Sequence, residues 1–357
     1  MAVVITPADR QSFKRCRRAW DLGSRLRQSW EPDTDVVEAD LGEAVRAALA
    51  VWYFPGMWEW DRAIVRPLAL AAYHRVVADW PEDHTDVAAH GERLLGRYFD
   101  WAPSVDRFTP IRVETDFEVS IPDPTDPVRD LAAPDGAAVH FAGRIELLVI
   151  DAFNSYWLVD HIIGDGWADV DALVLDEAGA AFTWAWERFF LGMEIAGVVY
   201  NELRTDADLT ADMVVTPPVG PGSIASVGHR RMYVRSDRAG VPEITREGND
   251  VFRRTRVSRG LVEMERVRHN LSLEARDMTG AGLAVYPSPS WDVCSTCRFR
   301  PPCIALNTGV DAEAVLAGGY RHRPPVEERE GRLGGITWSM GRGARPPKFG
   351  RGSGPGR

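Results

Sequence analysis

Four cysteines are placed unevenly along this chain: Cys16 stands near the start, and Cys294, Cys297 and Cys303 crowd one Pro-rich loop far downstream. The C-x₂-C-x₅-C spacing suits metal or cluster ligation better than a disulfide framework, because the start of the chain lacks a basic region followed by a long apolar run. Three thiolates from one loop and a remote fourth make a Cys₄ shell, of the kind that holds [4Fe–4S] or structural Zn²⁺. Spacing alone does not separate the two. Either shell would bring residue 16 against the loop near residue 300.

A second constraint lies at His140–Gly166, HFAGRIELLVIDAFNSYWLVDHIIGDG. Ile145–Ile150 and Tyr156–Val159 have the length and β-branched or aromatic content of buried strands, and Asp151, Phe153 and Asn154 supply turn chemistry. The stretch is expected to be a β-hairpin. Glu146 near the start of one strand and Asp160 at the end of the other form a carboxylate pair, which is how hard divalent cations are held through oxygen.

Around it, Thr6-Pro7 is a helix start, and Phe13, Cys16, Arg17 and Trp20 recur at helical spacing, so Cys16 is expected beside the aromatics on one continuous helix. Leu41, Ala44, Val45, Ala48, Leu49 and Trp52 form one apolar helical stripe. Helices are expected again over Asp61–Trp80 and Val87–Trp101, making Leu41–Trp101 a helical insertion. Arg112–Ile121 alternates as a strand, with Val113, Thr115, Phe117, Val119 and Ile121 on one face and Glu114, Asp116 and Glu118 on the other. Asp169–Gly192 reads as a helix, Ile195–Leu203 as a buried strand, Thr216–Gly222 as a loop and Arg230–Val234 as a strand. Asn249–Thr279 reads as a long amphipathic helix with Val257, Leu261, Met264, Val267 and Leu271 inward. Beyond Arg321 the chain is rich in Gly, Pro and Arg, a composition that does not build a core. One domain over 1–320 with a tail over 321–357 is the expected organisation, the cysteine loop occupying 286–305.

The net charge of −10 argues against a generally basic coat. Local clusters matter more: Arg15, Arg17 and Arg18 at the start, and Arg253, Arg254, Arg256 and Arg259 later, are placed either to line a phosphate groove or to solvate two helices. Lysine is confined to Lys14 and Lys348. No run of apolar residues is long enough for a membrane span, and a cytoplasmic protein with no membrane partner is expected.

These residues together resemble the RecB-like branch of the PD-(D/E)XK nucleases. Gly143-Arg144-Ile145-Glu146 and Asp160-His161-Ile162 stand where that family has Gly-x-x-Asp and Asp/Glu-x-Lys. The cysteine pattern is similar to that of its iron–sulfur members, the CRISPR-associated RecB-type exonucleases and the AddB nuclease domain. The resemblance implies an α/β fold with a restriction-endonuclease-like core sheet flanked by helices, a helical insertion, and a [4Fe–4S] cluster on Cys16, Cys294, Cys297 and Cys303 that staples the ends of the domain, with zinc as the alternative. It implies Glu146 and Asp160 as catalytic acids holding Mg²⁺ or Mn²⁺ with the carbonyl of His161, Glu114 or Glu118 assisting, and DNA contacts from Arg15, Arg17, Arg18, Arg253 and Arg256.

The departures from the family are concentrated in its chemistry. Ile162 occupies the lysine position, Arg46 the histidine position of the Gly42-x-x-x helix, and Ala178 and Phe182 the positions of a glutamine and a tyrosine; Glu146 replaces an aspartate. Arg144 and Arg188 can supply positive charge but no general base at neutral pH. Divalent metal is then held weakly or not at all. Two readings follow: a nuclease-family protein acting on DNA with a free end or a single strand, in repair, recombination or defence, with impaired catalysis; or an inactive DNA- or partner-binding scaffold, for instance beside a helicase.

Overall fold

The computed structural model describes residues 2–33, 40–209 and 244–323. The expected loop Thr216–Gly222, the strand Arg230–Val234 and the tail beyond residue 323 lie outside the described residues.

The chain opens with strand β1 (Val3–Ile5), helices α1 (Pro7–Arg15) and α2 (Arg17–Gly23), and strand β2 (Trp30–Pro32). Three helices follow: α3 (Leu41–Trp52), α4 (Arg62–Val77) and α5 (Thr85–Val105). Strands β3 (Phe108–Ser120), β4 (Val139–Asp151) and β5 (Tyr156–Gly164) lead to α6 (Val170–Val174), α7 (Glu177–Phe189) and β6 (Ile195–Arg204). Strands β7 (Ile244–Gly248) and β8 (Phe252–Ser258) precede α8 (Leu261–Thr279), α9 (Trp291–Ser295), α10 (Arg300–Thr308), α11 (Ala312–Gly319) and β9 (Tyr320–His322).

Seven strands form one mixed sheet, β1-β4-β5-β6-β8-β7 with β3 also on β4. The β1–β4 and β5–β6 pairings are parallel and the others antiparallel. Helices cover both faces. On one side α3–α5 bury Leu49, Trp52, Tyr98 and Trp101 against Leu147, Val149, Val199 and Phe252. On the other, α1, α2, α7 and α8 bury Trp20, Trp184, Trp186 and Leu271 against Phe117, Leu148 and Val198. The fold is therefore mixed α/β with a helix-flanked central sheet, and no helix among the described residues is long and apolar enough to cross a membrane.

Several elements differ from the sequence reading, each for a local reason. The first helix breaks at Cys16, whose extended backbone (φ −165°, ψ 112°) separates α1 from α2, so the thiol sits at a corner and not on a helical stripe. Thr6 starts α1 with a full capping box: its hydroxyl accepts from the Asp9 N–H, and the Asp9 carboxylate accepts from the Thr6 N–H. The expected helix over Asp169–Gly192 is two helices, because Asp176 ends one and caps the next, accepting from the N–H groups of Ala178 and Gly179. The expected long helix Asn249–Thr279 is strand β8 followed by α8; Val257 packs in the sheet, and Leu261 is 87% exposed. Phe252–Ser258 has three arginines among seven residues, so its strand character is masked by the helical periodicity that follows.

Strand β3 also changes face along its length. Phe117, Val119 and Ile121 pack on the α7–α8 side, while Val113 packs on the α3–α5 side. Glu114 lies at the switch with φ 43°, a left-handed conformation that costs a non-glycine residue about 1 kcal/mol or more.

Candidate functional site

Strand β3 runs along one edge of β4, while β1 and β5 share the other: β1 pairs with Val139–Phe141 and β5 with Leu147–Ile150. Between those two partners Ala142–Glu146 faces no strand on that edge, and β5 peels away after Val159 to continue along β6. A cleft of about 360 Å³ opens there. Glu146, Asp160 and Asp176 line it with Ile162, Ala178 and Phe182. Continuing the β4–β5 register one place beyond Leu147–Val159 sets Glu146 opposite Asp160, so the two carboxylates share a face as the hairpin pattern requires.

Glu146 takes over the ladder where the strands part. Its Oε2 accepts the His161 N–H at 2.8 Å. On the other oxygen, Nε of Arg46 from α3 approaches Oε1 to 2.9 Å, an ion pair by distance without the alignment of a hydrogen bond. Burial, with the neighbouring Asp160, pushes the Glu146 carboxyl up to about 8, against the opposing pull of the His161 N–H and Arg46. Burial and then Asp176 push Asp160 up to about 6, again opposed by Arg46. Glu114 is raised too, by burial first, with Arg144 opposing. The acids crowd one another, and Arg46 is a cation that acts on all three.

Asp176, unremarked in the sequence, belongs to this cluster. Tyr200 donates to its Oδ2 at 2.8 Å, and Arg259 donates to the Tyr200 hydroxyl at 2.8 Å and to the carbonyl of Val174. A capping aspartate is hard to tell from a functional one by sequence; only the sheet brings Tyr200 beneath it.

The other expected site residues fall as follows. Ile162 and Phe182 are half-buried walls of the cleft, and Phe182 packs edge-on to Phe117. The His161 ring is buried on the opposite face, where Nδ1 accepts from Asn201 at 2.8 Å in this tautomer, and burial, then Arg254, pushes it down to about 3. What reaches Glu146 from His161 is the backbone N–H. Arg144 is held bidentately by Asp116, Arg188 lies over the Trp184 ring, and Glu118 pairs with His140.

The arginines expected to line a phosphate groove have internal partners. Arg253 binds Glu202, whose side chain is 2% exposed, and stacks on Trp167. Arg256 lies over Trp157 and near Asp151. Arg254 is buried with Asp106, Tyr53 and Tyr98. Strand β8 faces these guanidinium groups inward, which a helical reading of the stretch conceals.

Arg15, Arg17 and Arg18 instead brace the cysteine loop. Arg15 donates to the Val293 carbonyl and the Thr296 hydroxyl, Arg17 stacks on Tyr286, and Arg18 donates to Asn307 Oδ1 at 2.6 Å and Cys303 Sγ at 3.6 Å. The Ser288 N–H donates to Cys16 Sγ at 3.4 Å. All four cysteines are free thiols. Burial raises Cys297, the Phe299 N–H lowers it, and Cys16, Cys303 and Cys294 raise it further, so the four sulfurs share one electrostatic neighbourhood. Glycine at position 23 permits the approach, since a Cβ there would meet the Phe299 ring at 2.7 Å.

The two sites answer differently to their implied inorganic groups. Among the described residues, no three or more His, Cys, Asp or Glu side chains are gathered tightly enough to hold a metal ion as they stand. At the staple the donor set nevertheless fits a thiophilic group: soft ligands converge from both ends, and N–H donors already point at three of the sulfurs. At the acid cleft the donor set does not fit Mg²⁺ or Mn²⁺, because a guanidinium lies against Glu146.

No family model and no curated protein matches this chain. A solved structure described as "Crystal structure of SSO0001" is similar over 76% of this chain and 88% of its own, with 13% identity and a TM-score of 0.30, a likeness too slight to carry an argument.

Proposed function

We propose that this protein is a non-catalytic scaffold of the RecB-like PD-(D/E)XK nuclease type, stapled by a [4Fe–4S] cluster on Cys16, Cys294, Cys297 and Cys303, and acting in DNA processing by binding a partner. The observation that carries the reading is the Arg46 guanidinium 2.9 Å from Glu146. It supplies, from within the chain, the positive charge that a catalytic ion supplies in a metal-dependent nuclease, and it brings no water to activate. Ile162, Ala178 and Phe182 put apolar side chains where the family has polar ones. Removing one catalytic group costs about 10²–10⁴ in rate; here the lysine, histidine, glutamine and tyrosine positions are all altered.

On this reading the cleft lacks the tools for phosphodiester hydrolysis, while the hairpin and crossover helix that position it remain. DNA, or a protein that works on DNA, is the partner class this ancestry favours. Purified protein incubated with labelled single- and double-stranded DNA and Mg²⁺ or Mn²⁺ is expected to cleave neither. Metal-dependent cleavage abolished by Asp160→Ala would refute the scaffold reading.

A further inference from the structure

Arg18 stands at the start of α2, two residues past the Cys16 corner, and turns back toward the C-terminal loop. Its backbone N–H donates to the Tyr286 carbonyl at 3.2 Å, which pins the helix start to the loop. One guanidinium nitrogen then reaches both Asn307 Oδ1 at 2.6 Å and Cys303 Sγ at 3.6 Å. The sulfurs of Cys16 and Cys297 take their hydrogen bonds from backbone N–H groups of Ser288 and Phe299. Among these donors Arg18 alone brings a formal charge.

We infer that Arg18 is a positioning residue that sets the reduction potential of the group held by the four thiolates. The inference rests on the cluster reading proposed above and adds a residue to it. Four thiolates give such a group a net negative charge, which grows by one unit when it accepts an electron. A cation donating a hydrogen bond to one ligand sulfur stabilises the reduced state more than the oxidised one. Asn307 fixes the guanidinium so that its N–H stays on Cys303, and the planar, permanently charged head suits that task better than a mobile ammonium.

The test uses the full chain purified anaerobically, titrated with dithionite while absorbance near 400 nm and the electron paramagnetic resonance signal of the reduced cluster are followed. Arg18→Gln, of similar shape and no charge, is expected to lower the midpoint by about the 59 mV that corresponds to a tenfold change for one electron. Arg18→Lys is expected to fall between the two. Arg129→Gln, at an arginine 81% exposed on the surface, controls for net charge and is expected to leave the midpoint in place. A wild type without iron or a brown chromophore sinks the cluster reading and this inference together. A wild type with the chromophore, but an unmoved midpoint in Arg18→Gln, sinks this inference alone. Where Arg18→Gln fails to retain iron, Arg18→Lys decides: a lowered midpoint supports the role and an unchanged one overturns it.

Discussion

Nε of Arg46 lies 2.9 Å from Oε1 of Glu146, joining helix α3 to the hairpin strand β4 at the point where β4 and β5 part. The contact ties the α3–α5 layer to the sheet and brings a cation to the cleft. Carboxylates crowded into a half-buried cleft favour a proton, a metal ion or a cationic partner, and the Glu146 side chain is 22% exposed. Here Arg46 supplies a cation that opposes their raised pKa values, in a position from which it cannot diffuse away.

Removing that arginine should leave the acids open to a different cation. In Arg46→Ala, Glu146 and Asp160 lose the cation that opposes their raised pKa values. Millimolar Mn²⁺ is expected to raise the melting temperature of Arg46→Ala by roughly 5 °C, as about 2.7 kcal/mol of linkage at a hundredfold excess over Kd would do. The wild type is expected to show no shift. Equal shifts in both proteins would mean that Arg46 does not guard the site.

Stability should fall as pH rises through the range in which the cleft acids ionise. Glu146 at about 8 and Asp160 at about 6 bind protons more tightly folded than unfolded, where they titrate near the ordinary carboxylate values of 4.5 and 3.8. Stabilisation from these protons is complete below the unfolded values and is lost as pH climbs through the folded ones. His161 works the other way: at about 3 folded and 6.5 unfolded, it favours the native state above pH 6.5 and costs stability as pH falls toward 3. Thermal melts between pH 6.5 and 8.5 isolate the acids. The wild type is expected to lose about 2 °C or more across that window, and Glu146→Gln with Asp160→Asn to flatten the slope. An unchanged slope in the double variant would assign the pH dependence elsewhere.

The hairpin could be read from sequence because both strands are apolar and their turn is built of Asp and Asn, so period and punctuation agree. The face shared by Glu146 and Asp160 followed from that register. Strand β8 could not be read so easily: three of the seven residues of Phe252–Ser258 are arginines, and their partners Glu202, Asp106 and Asp151 are remote in sequence. A charged residue in a buried strand resembles a solvated helix face until its counter-ion is located. The Cys16 corner was hidden for a related reason, since helical spacing continues through a backbone break that tertiary contacts impose. Asp176 and Tyr200 needed the crossover helix to be docked before they met the acids.

The Arg254–Asp106 pair should be worth far more than its surface counterparts. Their side chains are 3% and 6% exposed, and Arg254 also donates to Tyr53, Tyr98 and Asn201. Asp106→Ala strands a guanidinium in the core beneath α5, at an expected cost of about 3–5 kcal/mol. Asp100→Ala removes the exposed partner of Arg66 (side chains 39% and 59% exposed) and is expected to cost less than about 1 kcal/mol. Urea denaturation of the two variants measures the difference, and similar midpoints would show that the buried network is dispensable.

On the cluster reading proposed above, the C-terminal module should be the first part of the fold to open when one of the four cysteines is altered. Its apolar contact with the N-terminus is one small cluster of Leu22, Phe299 and Leu316, supported by the short β2–β9 pairing and by Trp30 stacked on His322. The sheet has its own two cores, to which α9–α11 contribute no buried residue. Opening the staple therefore exposes little of the apolar surface that sustains the central sheet, and the module behaves as a separate unit of low local stability. Cys16→Ala, or wild type treated with an oxidant and a chelator, is expected to become sensitive to trypsin at Arg298, with the main thermal transition shifted by only a few degrees. Hydrogen exchange should lose protection over 286–322 and keep it in β4, β5 and β6. Simultaneous loss of protection in the sheet would show that the staple holds the whole fold and not its end alone.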